Sequence, residues 1–208
     1  NCDIVLNELD ALANIDFATR TEKDEHRTLE IVRIGTCGGM QEDIPLGTFL
    51  VSEKSIGWDG LLAFYEGRDE IADLGFENAL VDFIHYPAKA ARPYVVAANP
   101  ELVNRIAGND MMRGCTIAAN GFYGPQGRVL RCDLAVKEIN DLITDFRYEG
   151  QRITNYEMEG SAIAGLSLLM GHKAMTVCCV IAQRKVEAAN TDYKPRIKQL
   201  VQTVLERI

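Results

Sequence analysis

Several features that define protein classes are missing from this sequence. Basic residues do not predominate, because 22 lysines and arginines stand against 30 aspartates and glutamates, for a formal net charge of -8. This balance argues against a broad basic face and therefore against a nucleic-acid partner. No apolar run approaches the length of a membrane span, and the chain does not open with a basic-then-apolar signal pattern. We therefore expect a cytoplasmic protein with no membrane partner. A small anionic ligand held by a few arginines is still allowed.

Metal-ligand spacing is also lacking. None of the six cysteines forms a CxxC motif, and none of the three histidines pairs with another at ligand spacing. We predict no metal site, and we expect the cysteines to be reduced, buried apolar residues. The residues concerned are Cys2, Cys37, Cys115, Cys132, Cys178, Cys179, His26, His85 and His172.

What the sequence does contain is an alternation of strand-like and helix-like segments from end to end. There is no linker, low-complexity segment or repeat. We therefore predict one α/β domain over residues 1–208, built as three layers (α/β/α) around a central mixed β-sheet. Strands are predicted at residues 29–34, 45–54, 88–98, 113–119, 152–156 and 174–182, helices at 71–86, 100–107, 133–147, 161–170 and 194–208, and a polar loop at 183–190.

The chain opens in a predicted helix whose apolar residues share one face. These residues are Ile4, Val5, Leu9, Leu12 and Ala13. An α/β domain that begins on an apolar helix lacks the strand that should precede it. On this ground we expect the sequence to be incomplete at its N-terminus.

Two carboxylates, Glu157 and Glu159, lie between the strand at residues 152–156 and the apolar helix that follows it. Burying charge in apolar surroundings is costly unless a partner compensates it. Ligands of open α/β sheets bind at the carboxyl ends of strands, which predicts that the pair faces a polar small molecule. A helix N-terminus that favours acidic residues is an equally good interpretation.

Arg33 stands near the end of an apolar strand that runs into a glycine-rich stretch at residues 35–39. A buried arginine requires an anion, and glycines after a strand allow backbone N–H groups to form an anion-binding nest. The stretch is neither GxGxxG nor a P-loop, so its signal is weak. Two interpretations stay open for Arg33: it binds an anionic ligand, or it forms a structural salt bridge with one of the glutamates.

Residues 120–129 are predicted to form a loop, because they contain three glycines and a proline. The loop also carries Phe122, Gln126 and Arg128. A planar heterocycle needs such a set, with a ring to stack on and an amide and a guanidinium for its edge. The alternative interpretation is a surface loop with incidental side chains.

Three motifs together resemble the nucleoside phosphorylase family. They are Arg-Ile-Gly-Thr-Cys-Gly at residues 33–38, Phe-Tyr-Gly-Pro-Gln-Gly-Arg at 122–128, and Asn-Tyr-Glu-Met-Glu at 155–159 followed by Val-Ile-Ala-Gln-Arg at 180–184. The likeness covers the whole chain, and the Phe-x-x-x-Gln-x-Arg loop is characteristic of the pyrimidine enzymes, which act on uridine. The resemblance implies a nucleoside phosphorylase fold and a pentosyl transfer in pyrimidine salvage. Inorganic phosphate attacks C1′ of uridine and releases uracil and ribose 1-phosphate.

The resemblance also implies a role for each residue of these motifs. The catalytic set would be Arg33, Gln126, Arg128 and Glu159, with inorganic phosphate as co-substrate and no cofactor. Phosphate would be bound by Arg33, Gly35 and Thr36, ribose by Thr36, Glu157, Met158 and Glu159, and the base by Gly38, Phe122, Gln126, Arg128 and Arg184. Of the two glutamates, Glu159 is the ribose carboxylate and Glu157 the weaker candidate.

The chemistry of phosphorolysis agrees with these residue types. Phosphate is already a nucleophile, so an arginine needs only to neutralise and orient it. Negative charge grows on the departing base, where Arg128 would be the main donor. Purine enzymes of the family carry an aspartate in the stretch that here reads Ala-Gln-Arg at residues 182–184, so purine phosphorolysis is disfavoured.

The resemblance further implies a homo-oligomer, a dimer or a hexamer, with active sites near subunit interfaces. The aromatic stretch from Trp58 to Tyr65 is a candidate for such an interface. The family's N-terminal section, which supplies further phosphate contacts, is not in the sequence, and we expect it in an unseen part of a complete enzyme. Other interpretations are a phosphorylase or nucleosidase for another base, a non-catalytic nucleoside-binding protein, and a purely structural oligomer.

Overall fold

A computed structural model describes residues 1–184 and 188–208 of the chain. The middle of the predicted polar loop, residues 185–187, therefore lies outside the described residues. Within the described ranges the helices are α1 Cys2–Asn14, α2 Arg68–Ile71, α3 Leu74–Phe83, α4 Pro100–Ile106, α5 Ile139–Asp145, α6 Gly160–Leu169 and α7 Lys194–Arg207. The strands are β1 Ile15–Asp16, β2 Thr21–Glu22, β3 Glu30–Gly39, β4 Phe49–Gly57, β5 Tyr94–Ala97, β6 Met111–Ala118, β7 Arg147–Tyr148, β8 Gln151–Glu157, β9 Lys173–Gln183 and β10 Ala188–Ala189.

The main sheet combines parallel and antiparallel strands. β3 runs parallel to β9 on one side and antiparallel to β8 on the other. β6 runs parallel to both β8 and β4, and β4 then pairs with β9 in the antiparallel sense. The strands β9, β3, β8, β6 and β4 therefore close into a ring, to which β5 and β10 are attached at the sides. The predicted mixed α/β fold around a central mixed sheet is confirmed.

Helices pack on the sheet through separate apolar clusters. α3 and α5 contribute Phe76, Leu80 and Ile143 to one cluster. α4 and α7 contribute a second, in which Cys179 is buried. Cys178, the residue before it on β9, lies instead in a third cluster with Cys37. Successive side chains of a strand point to opposite faces, so the two adjacent cysteines pack on opposite faces of the sheet.

The helix predicted over residues 133–147 is wrong in its first half, since α5 begins only at Ile139. Leu134 and Val136 both pack against the cluster that contains Ile139. Two residues at i and i+2 share a face in an extended segment but not in a helix. Tertiary packing therefore keeps residues 133–138 out of the helix despite their helical pattern.

The glycine-rich stretch after Arg33 is part of a strand and not a loop. β3 continues to Gly39, pairing there with Gln183 of β9 and Asn155 of β8. Its glycines make room for large side chains instead of forming a turn: a Cβ on Gly35 would lie 2.6 Å from Arg33 Nη1, and one on Gly38 would lie 3.4 Å from Arg184 Nε. The strand predicted at residues 29–34 is therefore too short, because it continues through the glycine-rich stretch to Gly39.

Several boundaries also differ because of local turns. The strand predicted from residue 45 begins at Phe49, since Gly47 has a positive φ of 82° and turns the chain. The helix predicted over 71–86 spans only Leu74–Phe83, and the strand predicted over 88–98 only Tyr94–Ala97. Prolines at positions 87 and 93 flank the segment between them, and neither can donate a backbone hydrogen bond.

The structure also shows how far three groups singled out in the sequence are exposed. The apolar face of α1 is largely exposed at Ile4 and Leu12, while Leu6 is the residue that packs. Trp58 and Leu62 are buried, so within the aromatic stretch it is above all Phe64 that presents a surface. Cys132 is exposed and Cys2 is only half-buried, in contrast to the expectation that all the cysteines are buried. In the part of the chain that the structure describes, the helices are too short or too polar to cross a membrane.

Candidate functional site

A cavity of about 280 Å³ opens where three strands end. Its walls come from residues 33–38 of β3, the end of β8 with the turn after it, the end of β9, and the loop at residues 120–129. The lining residues are Arg33, Thr36, Cys37, Gly38, Phe122, Gln126, Arg128, Tyr156, Glu157, Met158, Glu159, Ile181 and Ala182. Three segments that are far apart in the sequence therefore meet at one position, which is where α/β sheets bind ligands.

Arg33 forms ion pairs with both glutamates of the motif. Its Nη1 lies 3.1 Å from Glu157 Oε2, and its Nη2 donates to Glu159 Oε2. The salt-bridge interpretation of Arg33 is thus what the structure shows, and it involves two carboxylates rather than one. Burial disfavours the guanidinium charge, but Cys178 and the two carboxylates outweigh burial and raise the pKa of Arg33 above its ordinary value.

Glu157 is a capping residue at the start of α6. Its carboxylate accepts hydrogen bonds from the backbone N–H groups of Glu159 at 3.0 Å and Gly160 at 2.8 Å, and its side chain is 1 % exposed. Burial raises the pKa of Glu157, although Arg33 and the two N–H groups pull it down. The helix-terminus interpretation therefore describes Glu157.

Glu159 has a different environment from Glu157. Its side chain is 43 % exposed and makes no capping hydrogen bond to α6. It lines the cavity beside Met158, which is also exposed. Strand β8 ends at Glu157 and the helix begins at Gly160, so the turn between them buries one carboxylate of the cavity wall and leaves the other half-exposed.

The opposite wall is a compact arrangement around Gln126, which is buried. Its Oε1 accepts from Arg128 Nη1 at 2.8 Å and from Arg184 Nη2 at 2.6 Å. Arg184 Nη1 also donates to the backbone oxygen of Gln126 at 2.9 Å. The guanidinium of Arg128 lies over the Phe122 ring, 3.7 Å from its centroid, in a cation–π arrangement. The loop is therefore ordered by its own functional side chains, in contrast to a surface loop with incidental ones.

The charges around the cavity leave an excess of positive groups. Arg33, Arg128 and Arg184 stand against two carboxylates. Burial and the neighbouring Arg128 lower the pKa of Arg184 to about 10, and burial also lowers that of Arg128. Burial is the main cause of both shifts, so an anionic or electron-rich ligand beside these guanidiniums would compensate for the solvent that they have lost.

The structure brings the residues predicted for the site together, with two exceptions. All of them line the cavity except Gly35 and Arg184. Gly35 lies beneath the Arg33 guanidinium, which needs the space that a Cβ would fill. Arg184 lies behind Gln126 and lines a neighbouring cavity with Arg128.

Sequence reasoning gave no role to four residues that line the cavity. Tyr156, Cys37, Ile181 and Ala182 fall within the three motifs but carry no charge that would have marked them. Tyr156 is 1 % exposed, and the guanidinium of Arg184 lies 5.2 Å from the centroid of its ring. Asn140 was also missed; it supports the loop by donating to the backbone oxygen of Gln126 at 3.3 Å.

Comparison with known families and proteins gives a consistent result. Residues 12–207 match the family model described as the phosphorylase superfamily. A uridine phosphorylase from Thermococcus kodakarensis is 24% identical over 155 residues, and uridine phosphorylase A from Schistosoma mansoni is 28% identical over 161 residues. Each alignment covers 74% of this chain, and 48% and 47% of the two relatives respectively. The chain thus spans about half the length of the curated relatives that it matches.

Solved structures share the fold. A Trypanosoma brucei nucleoside phosphorylase, described as showing uridine phosphorylase activity, superposes with a TM-score of 0.81 at 24% identity, covering 99% of this chain and 75% of that one. Uridine phosphorylase from Schistosoma mansoni in its apo form superposes with a TM-score of 0.64 at 25% identity, covering 98% of this chain and 65% of that one.

Proposed function

Since this chain belongs to the phosphorylase superfamily, we propose that the protein cleaves uridine with inorganic phosphate, giving uracil and ribose 1-phosphate. One observation carries the proposal: a single cavity has the Arg33–Glu159 pair on one wall and the Gln126 arrangement with its two arginines on the other. A nucleoside presents a polyhydroxyl sugar at one end and a planar, hydrogen-bonding base at the other. The two walls match these two ends.

At the sugar end, Arg33 would exchange partners when substrates bind. Phosphate would take hydrogen bonds from Arg33 Nη2 that Glu159 now accepts, with Thr36 beside it. The released Glu159 carboxylate would then accept hydrogen bonds from the ribose hydroxyls. Met158 would pack beneath the sugar. Glu157, which stays bound to the start of α6, would act through Arg33 and not on the sugar.

At the base end, uracil would lie against Phe122 and present its edge to Gln126 and Arg128. Gly38 and Arg184 would act from behind this edge, because Arg184 crosses Gly38 to reach Gln126. The guanidinium of Arg128 would stabilise the electrons that collect on the base as its bond to the sugar breaks.

The reaction is a displacement at C1′ of the ribose. A phosphate oxygen forms a bond to C1′ while the bond from C1′ to the base nitrogen breaks, and its electron pair goes to the uracil, which then takes up a proton. Positive charge develops on the sugar in the transition state. The carboxylate of Glu159 lies at the wall where that charge would form. No covalent intermediate with the protein is required.

The family likeness also supports broader proposals about the working protein. We expect one α/β domain over residues 1–208 within an enzyme of pyrimidine salvage that uses phosphate as co-substrate and no cofactor. The working form would be a cytoplasmic homo-oligomer, a dimer or a hexamer, with active sites near its interfaces. Size-exclusion chromatography with light scattering tests the assembly directly.

A spectrophotometric assay of uridine with and without phosphate tests the proposed reaction. Uracil release that requires phosphate supports it, whereas release without phosphate identifies a nucleosidase. Nucleoside binding with no cleavage identifies a binding protein. Parallel reactions with thymidine, deoxyuridine and inosine define base and sugar preference, and efficient cleavage of inosine would contradict the pyrimidine assignment.

A further inference from the structure

Arg33 has a third partner in addition to the two glutamates. Its Nη1 donates a hydrogen bond to Cys178 Sγ at 3.2 Å. Cys178 is fully buried, and it lies opposite Gly35 in the parallel register of β3 and β9. The two positions therefore act together, since Gly35 provides the surface under the guanidinium and Cys178 provides an acceptor beside it.

The position of the Arg33 guanidinium requires a residue without a side chain at position 35. A Cβ there would approach Arg33 Nη1 to 2.6 Å and would also lie 2.9 Å from the central guanidinium carbon. The guanidinium is therefore in contact with the strand backbone, with its Nη1 end facing β9. Its Nη2 end reaches Glu159, the more exposed of the two carboxylates.

The sulfur differs from the other partners of Arg33 in its position. Glu157 and Glu159 lie at the cavity, at the turn between β8 and α6, whereas Cys178 approaches the guanidinium from β9. A cysteine sulfur is a weak acceptor, but it occupies an Nη1 hydrogen from the buried side. Such a contact sets the direction of the guanidinium and leaves its other end for an anion.

We propose that Cys178 is a positioning residue that holds the Nη1 end of Arg33, so that its Nη2 end is directed at the phosphate co-substrate. The inference rests on the proposed phosphorolysis for its choice of anion. Cys178 touches neither substrate in this arrangement and acts only through Arg33. The phosphate site therefore extends through Arg33 into the buried side of β9.

Cys179 offers a matched control on the next position of the same strand. It is as buried as Cys178, but it packs in the cluster formed with α4 and α7. Replacing either cysteine by alanine removes the same atom from a buried position of β9. Only the change at Cys178 removes an Arg33 partner.

Steady-state kinetics of Cys178→Ala, Cys178→Ser and Cys179→Ala test the proposal. We expect Cys178→Ala to raise the KM for phosphate about fivefold, as the loss of one modest hydrogen bond to a charged group predicts. The KM for uridine and kcat should change less than about twofold. Cys178→Ser, which keeps an acceptor, should restore the phosphate KM, and Cys179→Ala should leave it unchanged at a similar loss of melting temperature. Equal phosphate KM values for the two alanine variants would overturn the proposal.

A second measurement does not depend on catalysis. Nitrogen-detected NMR of the arginine guanidinium groups, assigned with Arg33→Lys, reports how freely the Arg33 group rotates. We expect separate, slowly exchanging Nη signals in the parent protein and in Cys178→Ser, and averaged signals in Cys178→Ala. Unchanged signals in Cys178→Ala would refute the positioning role even in an active enzyme. A parent protein without phosphate-dependent cleavage would instead refute the proposed function, leaving the NMR comparison to decide whether Cys178 holds Arg33.

Discussion

Arg184 determines which end of the Gln126 side-chain amide faces the two arginines of the site. Its Nη2 donates to Gln126 Oε1 at 2.6 Å. A guanidinium has donors and no acceptor, so the amide atom that faces it must be the oxygen. Arg128 approaches the same oxygen, and the amide nitrogen is consequently directed away from both arginines. In the proposed enzyme, Gln126 would therefore offer donors to a base that presents an acceptor, as uracil does.

Gln126→Glu tests this donor role. A carboxylate keeps, and strengthens, the contacts to Arg128 and Arg184 but has no hydrogen to donate to the base. We expect an unchanged or higher melting temperature together with an increase in the KM for uridine of about tenfold or more. Both are measured on the purified variant. A stable variant with the parent KM would show that the amide N–H groups do not contact the base.

Removal of the Arg128 charge should impair turnover more than binding. Arg128 lines the cavity over Phe122, where it would stabilise charge that exists only as the bond to the base breaks. We expect Arg128→Met to lower kcat by about 10²-fold to 10³-fold, while uracil affinity falls less than about tenfold. Arg131→Met, at an exposed position of the same segment, is the control and should be neutral. Equal losses of kcat and uracil affinity would contradict a transition-state role.

Protonation of Glu157 should set an acidic limit on activity. Burial raises the pKa of this carboxyl above its ordinary 4.5. As the pH falls through that raised pKa, Glu157 becomes neutral and its ion pair with Arg33 is lost. The same protonation favours the folded state, because a native pKa above the unfolded one makes the native protein bind the proton first. Activity at low pH should therefore decline without a loss of stability from this group.

The pH dependence of kcat/KM for the parent protein and Glu157→Gln checks this expectation. The parent should show an acidic limb with a midpoint above 4.5. The variant should have a lower plateau and no such limb, since glutamine does not titrate. Glu42→Gln, at an exposed position, should retain the parent profile. An unaltered acidic limb in Glu157→Gln would assign the limb to another group.

The sequence was informative about which side chains meet, and less so about what each one does there. The motifs marked Arg33, Glu157 and Glu159 because charge in apolar segments requires partners, and these three residues do pair with one another. The two glutamates have different environments because α6 begins directly after them, at Gly160. Boundaries of helices and strands are poorly encoded by local sequence patterns.

Other features depend on contacts that no local pattern records. The hydrogen bond from Arg33 to Cys178 follows from the pairing of Gly35 with Cys178 across two strands, which composition and periodicity do not specify. The local pattern around Leu134 and Val136 predicts a helix, and only their packing against the apolar cluster shows that the segment is extended. In both cases tertiary packing supplies the missing information.

Asp73 connects the stability of the fold to pH at a position outside the candidate site. It is the N-cap of α3, where its Oδ1 accepts from Phe76 N at 3.0 Å and its Oδ2 from Lys54 Nζ at 2.7 Å. Burial alone would raise the pKa of Asp73, but the hydrogen bonds from Lys54 and Phe76 outweigh it and lower the pKa below its ordinary 3.8. The carboxylate therefore contributes stability above that pH, and the contribution is lost as the pH falls through the lowered pKa.

Asp73→Ala should reduce the free energy of unfolding by about 1–2 kcal/mol at neutral pH, because it removes the cap and leaves Lys54 without its partner. The deficit should stay constant down to about pH 5 and shrink once the parent carboxylate is protonated, below its ordinary 3.8. Urea unfolding at several pH values measures it. Asp82→Ala, at an exposed position late in the same helix, should be neutral or slightly stabilising, because it removes a negative charge near a helix C-terminus. A deficit in Asp73→Ala that is independent of pH would mean that the side chain stabilises α3 by packing and not by its charge.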